Sequence, residues 1–155
     1  MDFGTVLRSQ EPQSTGLAVL SAIESLFAND LHLLEIDASE RAIAARLALY
    51  LQNNFPNMDV DVEYNRMGDA PKRVAWSDDK SDVFPDIIIH IRGEKTNLLA
   101  IEIKKDSNRE TKDKDLQKLR AYRWDDGLEY QAALFMRFGT GACAGSVTEC
   151  EWVAA

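Results

Sequence analysis

Residues 83–105 read VFPDIIIHIRGEKTNLLAIEIKK and contain two apolar, β-branched segments separated by a short polar turn. The first segment ends at Gly93 and the second begins near Asn97, and both have the composition of strands. The intervening 93–96 is short enough to join neighbouring antiparallel strands. This stretch therefore predicts a β-hairpin, to which the other segments must be fitted.

The second strand of the hairpin carries charge at apolar positions. Residues two apart on a strand share a face, so Glu102 and Lys104 point to one side while Ile101 and Ile103 point to the other. A carboxylate and an ammonium there lose hydration unless they have partners. Asp86 begins the preceding strand, across the hairpin. Two carboxylates at close range demand a cation, and oxygen ligands suit magnesium or manganese.

The segments before the hairpin have helical patterns. Apolar residues at helical spacing predict a helix over 15–28. A second helix is predicted from an N-cap at Asp37 or Ser39 to a stop before Pro56. The first dozen residues are polar and carry no period, so we expect 1–13 to form a loose terminus.

The remaining segments complete an alternating order of helices and strands. Alternating residues over 59–66 predict a half-buried strand, and the polar stretch 67–82 a long loop suited to substrate specificity. A helix is expected over 112–124 and strands over 128–138 and 146–153. The chain is therefore expected to be an α/β protein with a mixed central sheet flanked by helices.

Composition limits the class of protein. A chain of 155 residues is the usual size of a single domain, here 1–155. Because no run approaches the roughly 18 consecutive apolar residues of a membrane span, and the start lacks the regions of a secretory signal, we expect a cytoplasmic protein. Cys143 and Cys150 form no CxxC or Cys/His cluster, which favours reduced thiols over a zinc site.

Charge is distributed unevenly along the chain. The formal net charge is −8, which argues against coating nucleic acid by bulk attraction. Between Lys104 and Arg123, however, eight basic residues stand against four acidic ones, a local net charge of +4. The segment could face a polyanion, or it could be a salt-bridged helix exposed to solvent.

The hairpin motif resembles a known signature. Pro85-Asp86, then fifteen residues, then Glu102-Ile103-Lys104 is similar to the motif of the PD-(D/E)XK, or restriction-endonuclease-like, nuclease superfamily. The family core of a helix, three strands, a helix and a strand also resembles the order from Ser39 to Phe138. The resemblance covers about two-thirds of the chain and leaves the N-terminal helix as an addition.

The resemblance implies a function and a metal. It implies an endo- or exonuclease that hydrolyses phosphodiester bonds with Mg²⁺ or Mn²⁺. Asp86 and Glu102 would be the metal ligands and the Ile103 carbonyl a third. Lys104 would orient the attacking water, accept a proton at a pKa lowered by a neighbouring cation and partial burial, or stabilise the developing charge. We expect DNA as substrate; a homodimer, and a component of a larger assembly, are both compatible with the chain's size.

An acidic residue on the helix before the sheet often joins the metal site in this superfamily, and Glu40 is the matching residue. It shares a helix face with the apolar Ile43 and Leu47. The alternative is that Glu40 only stabilises the first helical turn or completes a cap with Asp37. Both interpretations remain open at this point.

The helix after the motif offers candidates for substrate contact. Several branches of the superfamily carry Gln, Tyr or Lys there, which makes Gln117, Lys118 and Tyr122 candidates. Arg120 and Lys105 are further candidate phosphate contacts. The alternative to an enzyme is an inactive nuclease-fold module that binds nucleic acid or assembles with other proteins. His90, which shares a strand face with Asp86, is either part of the site or structural.

Overall fold

The computed structural model describes residues 2–63, 85–125 and 128–154. It is an α/β protein with a five-stranded mixed sheet and four helices. The helices are α1 (Phe3–Arg8), α2 (Gln13–Glu35), α3 (Glu40–Asn54) and α4 (Asp113–Trp124). The strands are β1 (Asp59–Val62), β2 (Ile87–His90), β3 (Asn97–Lys105), β4 (Ala132–Phe138) and β5 (Val147–Trp152). The loop predicted over 67–82 lies outside the described residues.

The strands lie in the sheet in chain order, β1 to β5. Strands β1, β2 and β3 pair antiparallel, which confirms the predicted hairpin. Strand β4 pairs parallel to β3 because the chain crosses over through α4, and β5 returns antiparallel to β4. The central position of β3 places its charged end inside the sheet rather than at an edge.

The sheet has two unlike faces. One face packs against α1, α2 and α3 through a large apolar core that includes Ile101 and Ile103. The other face is covered by α4 through a smaller core that includes Ala100, Leu119 and Tyr122. Because side chains alternate along β3, Glu102 and Lys104 belong to the face that α4 covers.

Of the two helices predicted before the sheet, α3 has the expected bounds and α2 does not. Helix α3 has Ser39 as N-cap, whose Oγ accepts a hydrogen bond from Ala42 N at 3.1 Å, and it ends before Pro56. Helix α2 is longer than predicted. Within the described ranges it is long and apolar enough to cross a membrane, a test that core helices and signal sequences also pass. Val19 and Ile23 on α2 are fully buried in the core.

The N-terminus is a correction to the sequence interpretation. Residues expected to form a loose terminus contain α1, which Asp2 caps by accepting a hydrogen bond from Thr5 N. Leu7 is fully buried, and the Trp152 indole donates to Val6 O at 2.9 Å. Six helical residues are too few to show a periodic pattern, and they are held by packing against β5.

Candidate functional site

The charged end of the hairpin places two carboxylates side by side. Ile87 is opposite Ile101 in the antiparallel register, so Asp86 follows opposite Glu102. Asp86 Oδ2 accepts a hydrogen bond from Ile103 N at 2.8 Å. The Asp86 carboxylate thus accepts the Ile103 N–H as the carbonyl of a neighbouring strand would. This hydrogen bond fixes the orientation of the carboxylate beside β3.

Glu102 is a buried carboxylate beside another carboxylate. Its side chain is only 2% exposed, and its closest charged partner is Lys118, whose Nζ lies 2.7 Å from Glu102 Oε1. Burial raises the pKa of Glu102 well above its usual value, and the negative charge of Asp86 raises it further. The ammonium of Lys118 opposes this rise without cancelling it. The pair of carboxylates is therefore short of positive charge.

Lys104 lies further along the same face of β3. Its Nζ lies 3.0 Å from Asp115 Oδ2 and 3.7 Å from Glu110 Oε2. Burial alone would lower the pKa of Lys104, but the neighbouring carboxylates, Asp115 first, outweigh burial and raise it. The expectation of a lowered pKa is therefore wrong for this arrangement. Lys104 is an ammonium suited to stabilising negative charge rather than to accepting a proton.

Glu40 contacts the backbone at the charged end of β3, and its negative charge also acts on Lys104. Its Oε2 accepts a hydrogen bond from Lys105 N at 3.1 Å, and its Oε1 accepts one from Asn108 Nδ2 at 3.3 Å. The cap of α3 is made by Ser39, so Glu40 does not complete a cap with Asp37. No group of three acidic side chains placed for a metal ion occurs among the described residues, so Glu40 is not grouped with Asp86 and Glu102, and its role as a metal ligand stays a prediction.

The donor set suits a magnesium ion with few protein ligands. Asp86 and Glu102 supply two carboxylates at the same strand end, and burial together with the negative charge of Asp86 raises the pKa of Glu102. Mg²⁺ is commonly held by one or two carboxylates and keeps several waters. No group of three or more His, Cys, Asp or Glu side chains placed for a metal ion occurs within the described ranges. The fit is therefore to a two-carboxylate site, which the Ile103 carbonyl could supplement.

Helix α4 divides the remaining candidates between two of its sides. Lys118 faces the sheet, where the charges of Asp86 and Asp115 also act on it. Gln117 and Arg120 are exposed and lie on the helix side turned away from Glu102. A step of one or two residues turns a helical side chain by 100° or 200°, which places both away from Glu102, and their expected contact with the substrate stays a prediction.

The basic segment is largely neutralised by carboxylates. Lys105, expected to contact phosphate, has its Nζ 3.1 Å from Asp37 Oδ1. Lys112 lies 3.0 Å from both Glu149 and Glu151. The salt-bridged alternative therefore describes much of this segment. Within the described ranges, exposed basic side chains of the segment without a carboxylate partner are Arg109, Lys114 and Arg120.

Two residues of α4, Asp115 and Tyr122, also lie beside the residues of the strand motif. Asp115 holds Lys104, and the buried Tyr122 places its hydroxyl near Glu102, with no hydrogen-bond partner among the described residues. Burial and the negative charge of Glu102 raise the pKa of Tyr122 far above its usual range. Asp115 was not among the predicted site residues. Its spacing of three from Lys118 and seven from Tyr122 is the signal that could have found it.

An open pocket adjoins Lys104. It has a volume of about 310 Å³ and is lined by Lys104, Glu110, Thr111, Lys114 and Asp115. The connection between β3 and α4 that forms one wall is held by Arg137, whose guanidinium donates to the carbonyls of Asn108 and Glu110. Lys104 is thus accessible from solvent through a cleft with a fixed wall.

His90 does not belong to this site. It lies at the opposite end of β2 from Asp86 and is 2% exposed. Its Nε2 lies 2.7 Å from Asp61 Oδ2 on β1, and Asp61 also accepts a hydrogen bond from Arg92. The structural interpretation of His90 is therefore the one that the geometry supports.

Comparison with protein-family models, with curated proteins and with solved structures finds no match to this chain.

Proposed function

We propose that this protein is a metal-dependent nuclease that hydrolyses phosphodiester bonds of nucleic acid, with Asp86, Glu102 and Lys104 at its centre. The observation that carries the proposal is the pairing of Asp86 with the buried Glu102 at the end of the hairpin. Such a pair costs stability unless a cation binds to it. A site that costs stability in the metal-free protein is expected where chemistry requires it.

The arrangement of elements supports a restriction-endonuclease-like fold. Helix α3, strands β1 to β3, helix α4 and strand β4 follow the order of the superfamily core. The parallel pairing of β3 with β4 through α4 is compatible with that core. Helices α1 and α2 would then be N-terminal additions that cover one face of the sheet.

Each residue of the centre has a distinct role in the proposed reaction. Asp86 and Glu102 would hold Mg²⁺ or Mn²⁺, which when bound polarises the phosphodiester and lowers the pKa of a water. Lys104 would place its ammonium beside the charge that grows on the phosphate oxygens. Water would add to phosphorus as the bond to the leaving oxygen breaks, and Asp115 would keep Lys104 charged.

Substrate contact would rest on a few local charges. The net charge of −8 and the neutralised lysines leave little bulk attraction for a polyanion. DNA is the substrate that we propose, with endo- or exonucleolytic cleavage in the cytoplasm. Action as a homodimer, or as a component of a larger assembly, belongs to the same proposal.

A second candidate is a nuclease-fold module that binds nucleic acid or protein without cutting. The observation that favours it is that both ammonium groups beside the carboxylate pair already have carboxylate partners. Lys118 contacts Glu102 and Lys104 contacts Asp115. In this case the ion pairs would be the permanent arrangement.

Cleavage assays decide between the two candidates. Purified protein is incubated with supercoiled, linear and single-stranded DNA and with RNA, with Mg²⁺ or Mn²⁺ and with chelator. Glu102→Ala and Lys104→Ala are compared with Lys112→Ala, which removes an ion-paired lysine away from the carboxylate pair. The nuclease is supported by metal-dependent cutting that only the first two variants lose. Folded wild type that binds nucleic acid and cuts none of it would support the module.

A further inference from the structure

The ammonium of Lys118 occupies the side of Glu102 where positive charge is needed. Its Nζ lies 2.7 Å from Glu102 Oε1, and the charges of Asp86 and Asp115 also act on it. The contact is a short ion pair, in which the lysine ammonium acts as a compact point charge. Another cation at the same place can supply that charge to the carboxylate.

The buried site is also incompletely bonded around this contact. The Tyr122 hydroxyl lies one helical turn beyond Lys118 on the same side of α4. It is fully buried and has no hydrogen-bond partner among the described residues. Buried hydroxyl groups are nearly always bonded, so the Tyr122 hydroxyl is a group that a ligand oxygen or a water beside Glu102 would satisfy.

We propose that Lys118 is the resident counter-cation of the metal-free site, and that a divalent ion displaces its ammonium from Glu102 before the site acts. The inference rests on the proposed function, because it concerns the same carboxylate pair. One ammonium supplies a single positive charge to two carboxylates, whereas Mg²⁺ supplies two at about 2.1 Å from its ligands. A divalent ion thus satisfies Asp86 and Glu102 together.

Displacement gives Lys118 a second position. Its flexible four-carbon stem lets the ammonium leave Glu102 while the backbone of α4 stays in place. The released ammonium is next to the site, where a phosphate of the substrate is the anion that needs it. The same side chain thus holds the site together without metal and becomes a substrate contact when metal is bound.

Metal binding by calorimetry tests the displacement. Mn²⁺ is titrated in alkaline buffer into wild type, Lys118→Met, Lys112→Met and Glu102→Gln, each checked for native circular dichroism. Removal of the competing ammonium should tighten Mn²⁺ binding about tenfold, equal to about 1.4 kcal/mol. Lys112→Met is the matched control, since Lys112 is also held by two carboxylates, and it should bind as wild type does. Glu102→Gln should lose binding.

Lysine labelling on the wild-type protein gives a second readout that needs no variant to fold. Each lysine is acetylated by a water-soluble reagent with and without Mn²⁺, and the products are measured by mass spectrometry. We expect Mn²⁺ to increase the labelling of Lys118 severalfold and to leave Lys112 unchanged. Unchanged labelling of Lys118 at saturating Mn²⁺ would overturn the displacement.

The outcomes separate this inference from the proposed function. Equal Mn²⁺ affinity in wild type and Lys118→Met, with loss in Glu102→Gln, would leave the metal site standing and remove the role of Lys118. Absence of Mn²⁺ binding by every folded protein, Lys118→Met included, would overturn both. Binding by Lys118→Met alone would support the displacement in its strongest form.

Discussion

The two faces of the sheet are built from the same strands but bury different kinds of side chain. The face under α2 and α3 is apolar along the whole length of β3, with Leu99, Ile101 and Ile103 all buried in the larger core. The face under α4 is apolar at one end, and at the other it buries Glu102 and Lys104. One face therefore stabilises the fold, whereas the buried charges of the other face lower its stability.

Adjacent residues of one strand can therefore have separable roles. Ile101 and Ile103 alternate with Glu102 and Lys104, so their Cα atoms are neighbours while their side chains lie in different environments. Substitutions on the apolar face should change the free energy of unfolding. Substitutions on the charged face should change metal binding and cleavage while leaving the fold nearly as stable.

The largest expected effect is on cleavage. Glu102→Gln should lower the rate of cleavage by about a thousandfold, equivalent to about 4 kcal/mol, because it removes a proposed metal ligand without changing shape. Its free energy of unfolding should differ from that of wild type by less than about 1 kcal/mol, because the desolvation cost of the carboxylate disappears while the charge of Asp86 still acts on Lys118. Rates and urea unfolding are measured on the same preparations. A variant that does not fold would contradict the idea that the two faces have separable roles.

The next effect is on stability. Ile101→Ala should lower the free energy of unfolding by about 2–4 kcal/mol, because it leaves a cavity in the larger core. The fraction that stays folded should cut at nearly the wild-type rate. Urea unfolding measures the first quantity, and cleavage rate per folded molecule the second. Ile101→Val is the milder control, with an expected loss of about 1 kcal/mol.

The pH dependence of stability should reveal the raised pKa of Glu102 on the charged face. The pKa of Glu102 is raised in the folded protein, so folding favours its protonated form. Its contribution is full below the unfolded-state pKa and is lost as pH rises through the folded-state value. Without metal, the urea midpoint of wild type should therefore fall over this range relative to Glu102→Gln. Parallel curves for the two proteins would show that folding does not shift the pKa of Glu102.

The smallest effect is expected for the outward side of α4. Arg120→Ala and Gln117→Ala should change the cleavage rate by less than about twofold, because exposed side chains away from the site contribute little. Cleavage of a single DNA substrate at moderate salt measures the effect. A large loss in either variant would mean that substrate wraps around α4 beyond the site.

Local patterns predicted the elements more fully than the site. The hairpin, the N-cap of α3 at Ser39, the helix α4 and the last strand are as their patterns predict. The helix α1 was missed because a single short turn of helix has no period to detect. Tertiary contacts with β5 hold it in place.

The ion pairs of the site could not be predicted from local patterns. Spacing placed Glu102 and Lys104 on one face of a strand, and the resemblance to the nuclease superfamily made Lys118 a candidate substrate contact. It did not indicate that Lys118 would contact Glu102, or that Asp115 would contact Lys104. Each of these contacts depends on where α4 lies against β3, which packing decides.

The amino-acid sequence alone predicts which residues share a face of each element, because the periods of strands and helices are local properties of the backbone. It thus determined the chemistry available at the end of the hairpin, in Asp86, Glu102 and Lys104. The contact of Glu40 with the Lys105 N–H and the contact of Lys118 with Glu102 are visible in the fold alone. These contacts join different elements, and their geometry is set by the packing of whole helices against the sheet.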